Sequence, residues 1–143
     1  MKSLNQLIIT LMVCLFSIQA WAQSGKLFNT DNQLSSNLAT QVFQDKSGFI
    51  WIATRNGLNT YDGYHITVIK KDMSNFLGLK SNYINCIAQD DKEHILLGTN
   101  NSLLEFTGSE FLKIPMLDSK GEELATYVKQ VYPLKNKDVA VAT

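Results

Sequence analysis

The sequence lacks the charge imbalance that marks several functional classes. Its 143 residues carry 13 Lys plus Arg and 13 Asp plus Glu, and the largest basic cluster is Lys70-Lys71. This balance argues against a nucleic-acid-binding surface and against a polybasic membrane patch. Hydrophobic residues make up 45% of the chain, which is ordinary for a globular protein and excludes a disordered or collagen-like chain.

The N-terminal segment has almost no charge, Lys2 being its only charged residue. The apolar stretch from Leu7 to Ile18 is shorter than the roughly 20 residues of a membrane-spanning helix. Ala20-Trp21-Ala22 fits the small-x-small pattern that precedes signal-peptide cleavage. We therefore predict a signal peptide over residues 1–22, cleavage after Ala22 and export to the periplasm. A lipoprotein signal would use Cys14, but Val13 is bulkier than the small residue such sites favour.

The sequence contains two cysteines, Cys14 and Cys86. Removal of residues 1–22 leaves Cys86 as the one cysteine, so an exported chain has no internal disulfide and depends on packing for stability. Cys86 aligns with Gln41 in the repeat described below and is predicted to be a quiet strand position, not a reactive thiol.

The stretch from Gln44 to Gly63 has the pattern of short strands separated by turns. Asp45 and Gly48 occupy the first and fourth positions of a type I turn, in which the carboxylate accepts bonds from following amides. Phe49 to Thr54 is apolar on both faces, which predicts a strand covered on both sides. Asn56-Gly57 and Asp62-Gly63 are typical of two-residue hairpin turns.

This pattern repeats along the chain. Residues 36–66 align without a gap with residues 81–111 at an offset of 45, with nine identical positions, and residues 127–131 and 139–143 begin a third copy at an offset of 44. A period near 45 with about four strands per unit indicates a β-propeller. We predict an all-β fold, a partial β-propeller of about two and a half four-stranded antiparallel blades.

The strands expected from this pattern can be stated by number. They are 41–45, 49–54, 58–61 and 65–69 in the first blade, 85–89, 94–99, 103–106 and 110–114 in the second, and 127–133 at the start of the third.

The first repeat resembles the two-component regulator propeller repeat, which occurs in sensor regions of hybrid two-component regulators from Bacteroidetes. The residues that carry the resemblance are Gln44-Asp45, Gly48, Ile50-Trp51-Ile52, Thr54, Asn56-Gly57-Leu58 and Tyr61-Asp62-Gly63. The resemblance implies a periplasmic sensor of glycan-derived oligosaccharides, followed by further blades, a membrane helix, a histidine kinase and a response regulator. The second copy departs from the pattern at four positions, which are His94, Leu96, Leu97 and Ser102.

The domain organisation follows from the repeat. Residues 23–35 form a lead-in, 36–80 the first blade, 81–125 the second, and 126–143 the truncated start of a third. Lys26 to Asn29 is predicted to be a ring-closing strand that contains Phe28 and whose partner lies outside the sequence. A ring of 4 to 8 blades needs roughly 180 to 360 residues, so we expect the front part of a longer protein.

Catalytic and metal-binding patterns are weak. His65 and His94 fall at non-equivalent repeat positions, and neither is predicted to have a carboxylate or second histidine at ligand spacing, so both are expected to be packing or rim residues. Asp90 to Glu93 is expected to be a solvated turn instead of a calcium loop. We predict no catalytic residue, cofactor or metal, and no enzymatic activity in this segment. The alternatives are part of an exported propeller lyase or hydrolase, or of a surface interaction protein.

Recognition has one candidate location. The turns Arg55-Asn56-Gly57 and Asn100-Asn101-Ser102 are expected on the same rim of adjacent blades, where loops on a rigid scaffold concentrate binding. Planar donors and amides suit sugar hydroxyls or uronate carboxylates, so Arg55, Asn56, Asn100 and Asn101 are candidate ligand-binding residues. The alternative is an exposed turn without a ligand. Trp51 and Tyr61 are predicted to pack in the core.

The expected partners follow from the same interpretation. They are an oligosaccharide, the remaining blades of the full-length protein and a second copy of the full-length sensor. No nucleic acid is expected to bind this region, and the inner membrane would be reached only through downstream segments.

Overall fold

A computed structural model describes Ser3, Gln6 and residues 25–71, 78–135 and 138–143. The predicted signal peptide, apart from those two residues, and its cleavage site after Ala22 lie outside the described residues. Part of the link between the first two blades, residues 72–77, lies outside them as well. Within the described ranges, no helix has the length and apolar character needed to cross a membrane.

Ten strands form three antiparallel sheets. The first sheet has the order β1-β2-β3-β4, the second β5-β6-β7-β8, and the third pairs β9 with β10. The strands are β1 Ala39–Gln44, β2 Ile50–Thr54, β3 Gly57–Tyr61, β4 Ile66–Ile69, β5 Ile84–Gln89, β6 Ile95–Thr99, β7 Leu103–Phe106, β8 Phe111–Ile114, β9 Gln130–Pro133 and β10 Val139–Ala142, after a 3-10 turn at Thr30–Asn32. The predicted all-β, partial propeller is confirmed.

Four strands, β2, β4, β6 and β8, begin one residue later than predicted, whereas β3 begins one residue earlier. The amides of Phe49 and His94 donate to the carboxylates of Asp45 and Asp90, over 2.9 and 2.8 Å, so these amides do not join a ladder. In the third sheet, β9 begins at Gln130 and not at 127. Val128, which precedes β9, donates its amide hydrogen to the Thr99 carbonyl of the second sheet instead.

Both predicted hairpin turns differ in register from the structure. Thr54 pairs with Gly57, so the two turn residues are Arg55 and Asn56, and Gly57 begins β3 with φ of +131°. Tyr61 pairs with Ile66, which makes the next connection a four-residue loop instead of a two-residue turn. In that loop Asp62 accepts bonds from the amides of Tyr64 and His65, and these bonds lower the pKa of the Asp62 carboxyl below its ordinary value of 3.8.

The repeat is preserved in detail. Both first strands carry an irregularity at equivalent positions, Ala39/Gln41 and Ile84/Cys86. Thr40 donates its hydroxyl hydrogen to the Ile84 carbonyl of the next sheet, over 2.6 Å. Asn85, 45 residues later, donates its side-chain amide to the Val128 carbonyl over 2.9 Å. A side-chain hydrogen bond from the equivalent position therefore connects the first sheet to the second and the second sheet to the segment before β9.

Two apolar cores hold the three sheets together. The first core lies between the first and second sheets and contains Trp51, Ala53, Leu58, Ile69, Leu79, Ile84, Ile87, Ile95, Leu97, Leu104 and Phe111. The second lies between the second and third sheets and contains Cys86, Ala88, Leu96, Leu103, Val128 and Val131. Every residue of β6 is buried, because the middle sheet is covered on both faces.

The lead-in lies on the outer face of the first sheet. Residues 25–29 form no strand, so the ring-closing strand predicted for 26–29 is not formed among the described residues. The Phe28 ring packs edge-on against Tyr61 at 4.9 Å between centroids. The Lys26 ammonium donates to the Tyr61 hydroxyl and lies 4.3 Å from its ring centroid. Pairing of this segment with a further blade stays a prediction.

Candidate functional site

The first rim turn is organised by the hydroxyl of Thr54 at the end of β2. Its Oγ1 accepts the amide hydrogen of Asn56 over 3.1 Å and donates to the Gly57 carbonyl over 2.8 Å. The amide of Arg55 donates to the Leu38 carbonyl over 3.1 Å. These bonds fix the backbone of the turn, and the side chains of Arg55 and Asn56 remain exposed.

The second rim turn uses the equivalent hydroxyl of Thr99. Its Oγ1 accepts the amide hydrogens of Asn101 and Ser102 over 3.3 and 3.0 Å. The Asn101 Oδ1 lies within hydrogen-bonding distance of the hydroxyls of Thr99 and Ser102, at 3.1 and 3.2 Å. Asn100 and Asn101 are exposed, so this turn also presents amide groups from a fixed backbone.

One segment, Ser81 to Tyr83, lies between the two turns. Ser81 Oγ donates to Asn100 Oδ1 over 2.7 Å, and the Arg55 guanidinium carbon lies 5.5 Å from the Tyr83 ring centroid. The Asn82 carbonyl accepts the amide hydrogen of Gly57 over 2.7 Å. We call the exposed turns together with this segment the hairpin rim.

The hairpin rim offers donors of the kind expected from the sequence. The Oδ1 atoms of Asn100 and Asn101 accept bonds within the chain, so their Nδ2 groups are placed to donate. Arg55 adds a planar, permanently charged donor that is placed beside the Tyr83 ring. Tyr83 was not among the predicted site residues, because its position depends on how the link between blades returns to the rim. The Arg55 guanidinium and the asparagine amides together suit hydroxyl or carboxylate acceptors.

The two aromatic residues predicted to pack in the core are both buried. Trp51 is buried in the first core, and its indole Nε1 donates to Asp45 Oδ2 over 2.7 Å. Tyr61 is buried beneath Phe28. Cys86 is buried in the second core, and desolvation raises the pKa of its thiol. All three are in packing positions, as predicted.

The expectation that His94 has no carboxylate near it is wrong. His94 Nδ1 donates to Glu105 Oε1 over 2.7 Å and lies 3.6 Å from Asp90 Oδ2. The side chains of all three residues are partly buried, and their ligand atoms lie within 4.8 Å of one another. We call Asp90, His94 and Glu105 the carboxylate–histidine cluster. It lies at the opposite end of the strands from the hairpin rim.

Two separate features of the fold assemble this cluster. The Asp90 carboxylate turns back to the amide of His94 four residues later, as Asp45 does to Phe49 in the first blade. The β6–β7 hairpin places Glu105 opposite Leu96, on the face that continues to His94. The other histidine, His65, lies 3.7 Å from Asp62, but its side chain is 85% exposed.

Comparison with protein families finds a match to both complete repeats. The model of the family described as "Two component regulator propeller" matches residues 33–56 and 78–101. These two segments run from the end of the lead-in to the first rim turn and from the end of the link to the second.

A solved structure shares the fold. It is assigned to the extracellular domain of the hybrid two component system BT3049 from B. thetaiotaomicron, with a TM-score of 0.70 and 23% identity. The match covers 82% of this chain and 17% of that one, so the chain spans a small part of the related structure. A search of the curated proteins finds no match.

Proposed function

We propose that this chain, which carries two repeats of the two component regulator propeller family, forms the first blades of a ligand-sensing propeller in a hybrid two-component regulator. Its sensing region would lie in the periplasm, reached through the signal peptide over residues 1–22. The full-length protein would be anchored in the inner membrane by segments outside this sequence and would act as a homodimer.

The observation that carries the proposal is where the family repeats lie in the fold. Each repeat supplies the first strands of a four-stranded sheet, and each ends at an exposed turn of the hairpin rim. Ser81 contacts the second turn and Tyr83 the first, so the side chains of adjacent blades are presented on one surface. Rigidly held loops of this kind are where binding residues concentrate.

The chemistry of the hairpin rim favours an oligosaccharide derived from a glycan. Amide groups of Asn56, Asn100 and Asn101 can donate to ring and exocyclic oxygens. The Arg55 guanidinium can form paired bonds with a uronate carboxylate. Its position beside the Tyr83 ring limits the side-chain freedom that would be lost on binding.

Replacement of Arg55 by Ala tests the role of the rim. In the full-length protein we expect Arg55→Ala to weaken oligosaccharide binding roughly 10- to 100-fold, because a charge-assisted hydrogen bond contributes about 1.5–3 kcal/mol. Isothermal titration calorimetry with a panel of neutral and uronate-containing oligosaccharides gives the affinity. Lys135→Ala removes a cation that is also exposed, from the opposite end of the strands, and is expected to leave the affinity unchanged. Equal affinities for wild type and Arg55→Ala would remove Arg55 from the site.

The sequence downstream of codon 143 tests the sensor assignment independently. A hydrophobic span followed by a kinase with a phospho-accepting histidine is expected. A stop codon after the seventh or eighth blade would instead favour an exported lyase, hydrolase or surface interaction protein. N-terminal sequencing of the exported protein is expected to begin at Gln23.

A further inference from the structure

We propose that the carboxylate–histidine cluster binds a first-row divalent transition-metal ion such as Zn²⁺ in the second blade. Its three side chains offer one imidazole nitrogen and two carboxylate oxygens, a donor set that zinc accepts. The donor atoms come from a turn, the residue before β6 and the interior of β7, so a bound ion would connect three parts of the blade.

The geometry is compact before any ion is bound. The three ligand atoms lie within 4.8 Å of one another, and the His94–Glu105 contact is 2.7 Å. The side chains of Asp90, His94 and Glu105 are 16%, 29% and 26% exposed, which is less than expected of three solvated surface groups. Metal binding would replace the proton that His94 Nδ1 donates to Glu105.

Asp90 is held in a ligating orientation by its own turn. Its Oδ1 accepts the amide hydrogens of Lys92 and His94 over 2.9 and 2.8 Å, so the carboxylate is fixed and Oδ2 is directed toward His94. Outer contacts of this kind orient metal ligands and commonly affect metal affinity 10- to 100-fold.

The first blade supplies an internal comparison. There the equivalent residues of His94 and Glu105 are Phe49 and Thr60, and Asp45 Oδ2 is occupied by the indole Nε1 of Trp51. In the second blade Leu96 replaces that tryptophan, so no indole donor reaches Asp90. Three differences between equivalent positions of the two repeats therefore act together. Leu96 leaves a carboxylate oxygen of Asp90 free of an indole donor, and His94 and Glu105 add ligands beside it.

The surroundings of the cluster also favour a cation. Asp90 and Glu105 line a cavity of about 480 Å³ between the second and third sheets, and Asp138 lines the same cavity. Three acidic residues and one basic residue, Lys92, thus line this cavity. Asp138 occupies the third-repeat position that corresponds to His94, at the offset of 44.

Titration of the exported, full-length protein with ZnCl₂ tests the proposal. After treatment with a chelator, wild type is expected to bind one more equivalent of Zn²⁺ than His94→Phe, measured by calorimetry and by elemental analysis. Zinc is expected to raise the thermal midpoint of wild type more than that of the variant. Substitution with Co²⁺ is expected to give visible d–d absorption that His94→Phe loses.

Two further variants separate metal binding from folding. His65→Phe removes the other histidine of the described region, which also has a carboxylate 3.7 Å away but is exposed. This variant is expected to bind as much Zn²⁺ as wild type. Glu105→Gln keeps the side-chain shape and is expected to lower zinc affinity about 10-fold or more, even if His94→Phe fails to fold. The proposal is overturned if wild type and Glu105→Gln bind zinc with equal affinity, or if His65→Phe and His94→Phe lose the same amount of bound zinc.

Discussion

Gly98 shows how tightly the interface between the second and third sheets is filled. A Cβ atom at this position would lie 2.3 Å from Cys86 Sγ and 2.6 Å from Val128 Cγ1. The equivalent residue in the first blade is Ala53, which is fully buried. There Gln41 stands where Cys86 does, and its side chain bonds to the backbone of Ile87 in the next sheet. Glycine at position 98, in place of the alanine of the first blade, therefore makes room for the Cys86 side chain.

We expect Gly98→Ala to lower the free energy of unfolding by about 1–3 kcal/mol, since an added methyl group in a filled core forces displacement of its neighbours. Urea denaturation followed by circular dichroism measures the change. Gly25→Ala is the control, because nothing lies within 4 Å of its added Cβ. A midpoint equal to that of wild type would show that Cys86 and Val128 move aside without cost.

At the scale of elements, Asn59 connects β3 to the lead-in. This fully buried residue accepts the amide hydrogen of Ser35 over 2.8 Å. It also donates to the Ser35 hydroxyl and to the Ile52 carbonyl, over 2.9 and 3.0 Å. The equivalent residue of the second blade is Leu104, which lies in the first core. A polar residue is used where the neighbour is a chain segment with backbone groups to satisfy.

Asn59→Ala is expected to lower the free energy of unfolding by about 1–3 kcal/mol, because the partly buried Ser35 amide loses its hydrogen-bond acceptor. Detachment of the lead-in should also expose residues 25–35 to proteases. Limited proteolysis with mass spectrometry reports the cleavage sites. Ser35→Ala retains the backbone amide and is expected to have a smaller effect. An unchanged cleavage pattern in Asn59→Ala would contradict this role.

The sequence predicted the strands well because the apolar pattern and the repeat both constrain them. It failed where a side chain competes for a backbone amide, as Asp45 does at Phe49. It also misplaced the turn at Arg55-Asn56, since turn composition alone does not set the register of Thr54 with Gly57. The hairpin rim was predictable because successive hairpins return to the same end of a sheet. The carboxylate–histidine cluster was not, since Glu105 reaches His94 only through the pairing of β6 with β7.

For the whole molecule, stability depends on how many faces of each sheet are covered. The middle sheet packs against neighbours on both sides. On the first sheet Val42 is 63% exposed, and on the third Tyr132 is 53% exposed. Stacked repeats derive much of their stability from such interfaces, so the three sheets differ in their resistance to opening.

Hydrogen exchange is expected to show this order. In the 143-residue chain, amides of β6 and β7 should exchange slowest and those of β9 and β10 fastest, because local opening requires less energy where fewer apolar contacts are lost. Exchange followed by mass spectrometry measures the order. The same peptides in the full-length protein serve as the comparison, and the outer sheets should gain protection there. Slowest exchange in β9 and β10 would contradict the dependence on covered faces.

The position of Trp51 gives the molecule an optical reporter. Its indole ring lies in the seam between the first two sheets, 5.7 Å from Phe106, with its N–H bound to Asp45. The other tryptophan, Trp21, belongs to the predicted signal peptide. Tryptophan fluorescence of the cleaved 23–143 segment would therefore come from Trp51 alone, and a shift of this emission to longer wavelength would record water entering that seam.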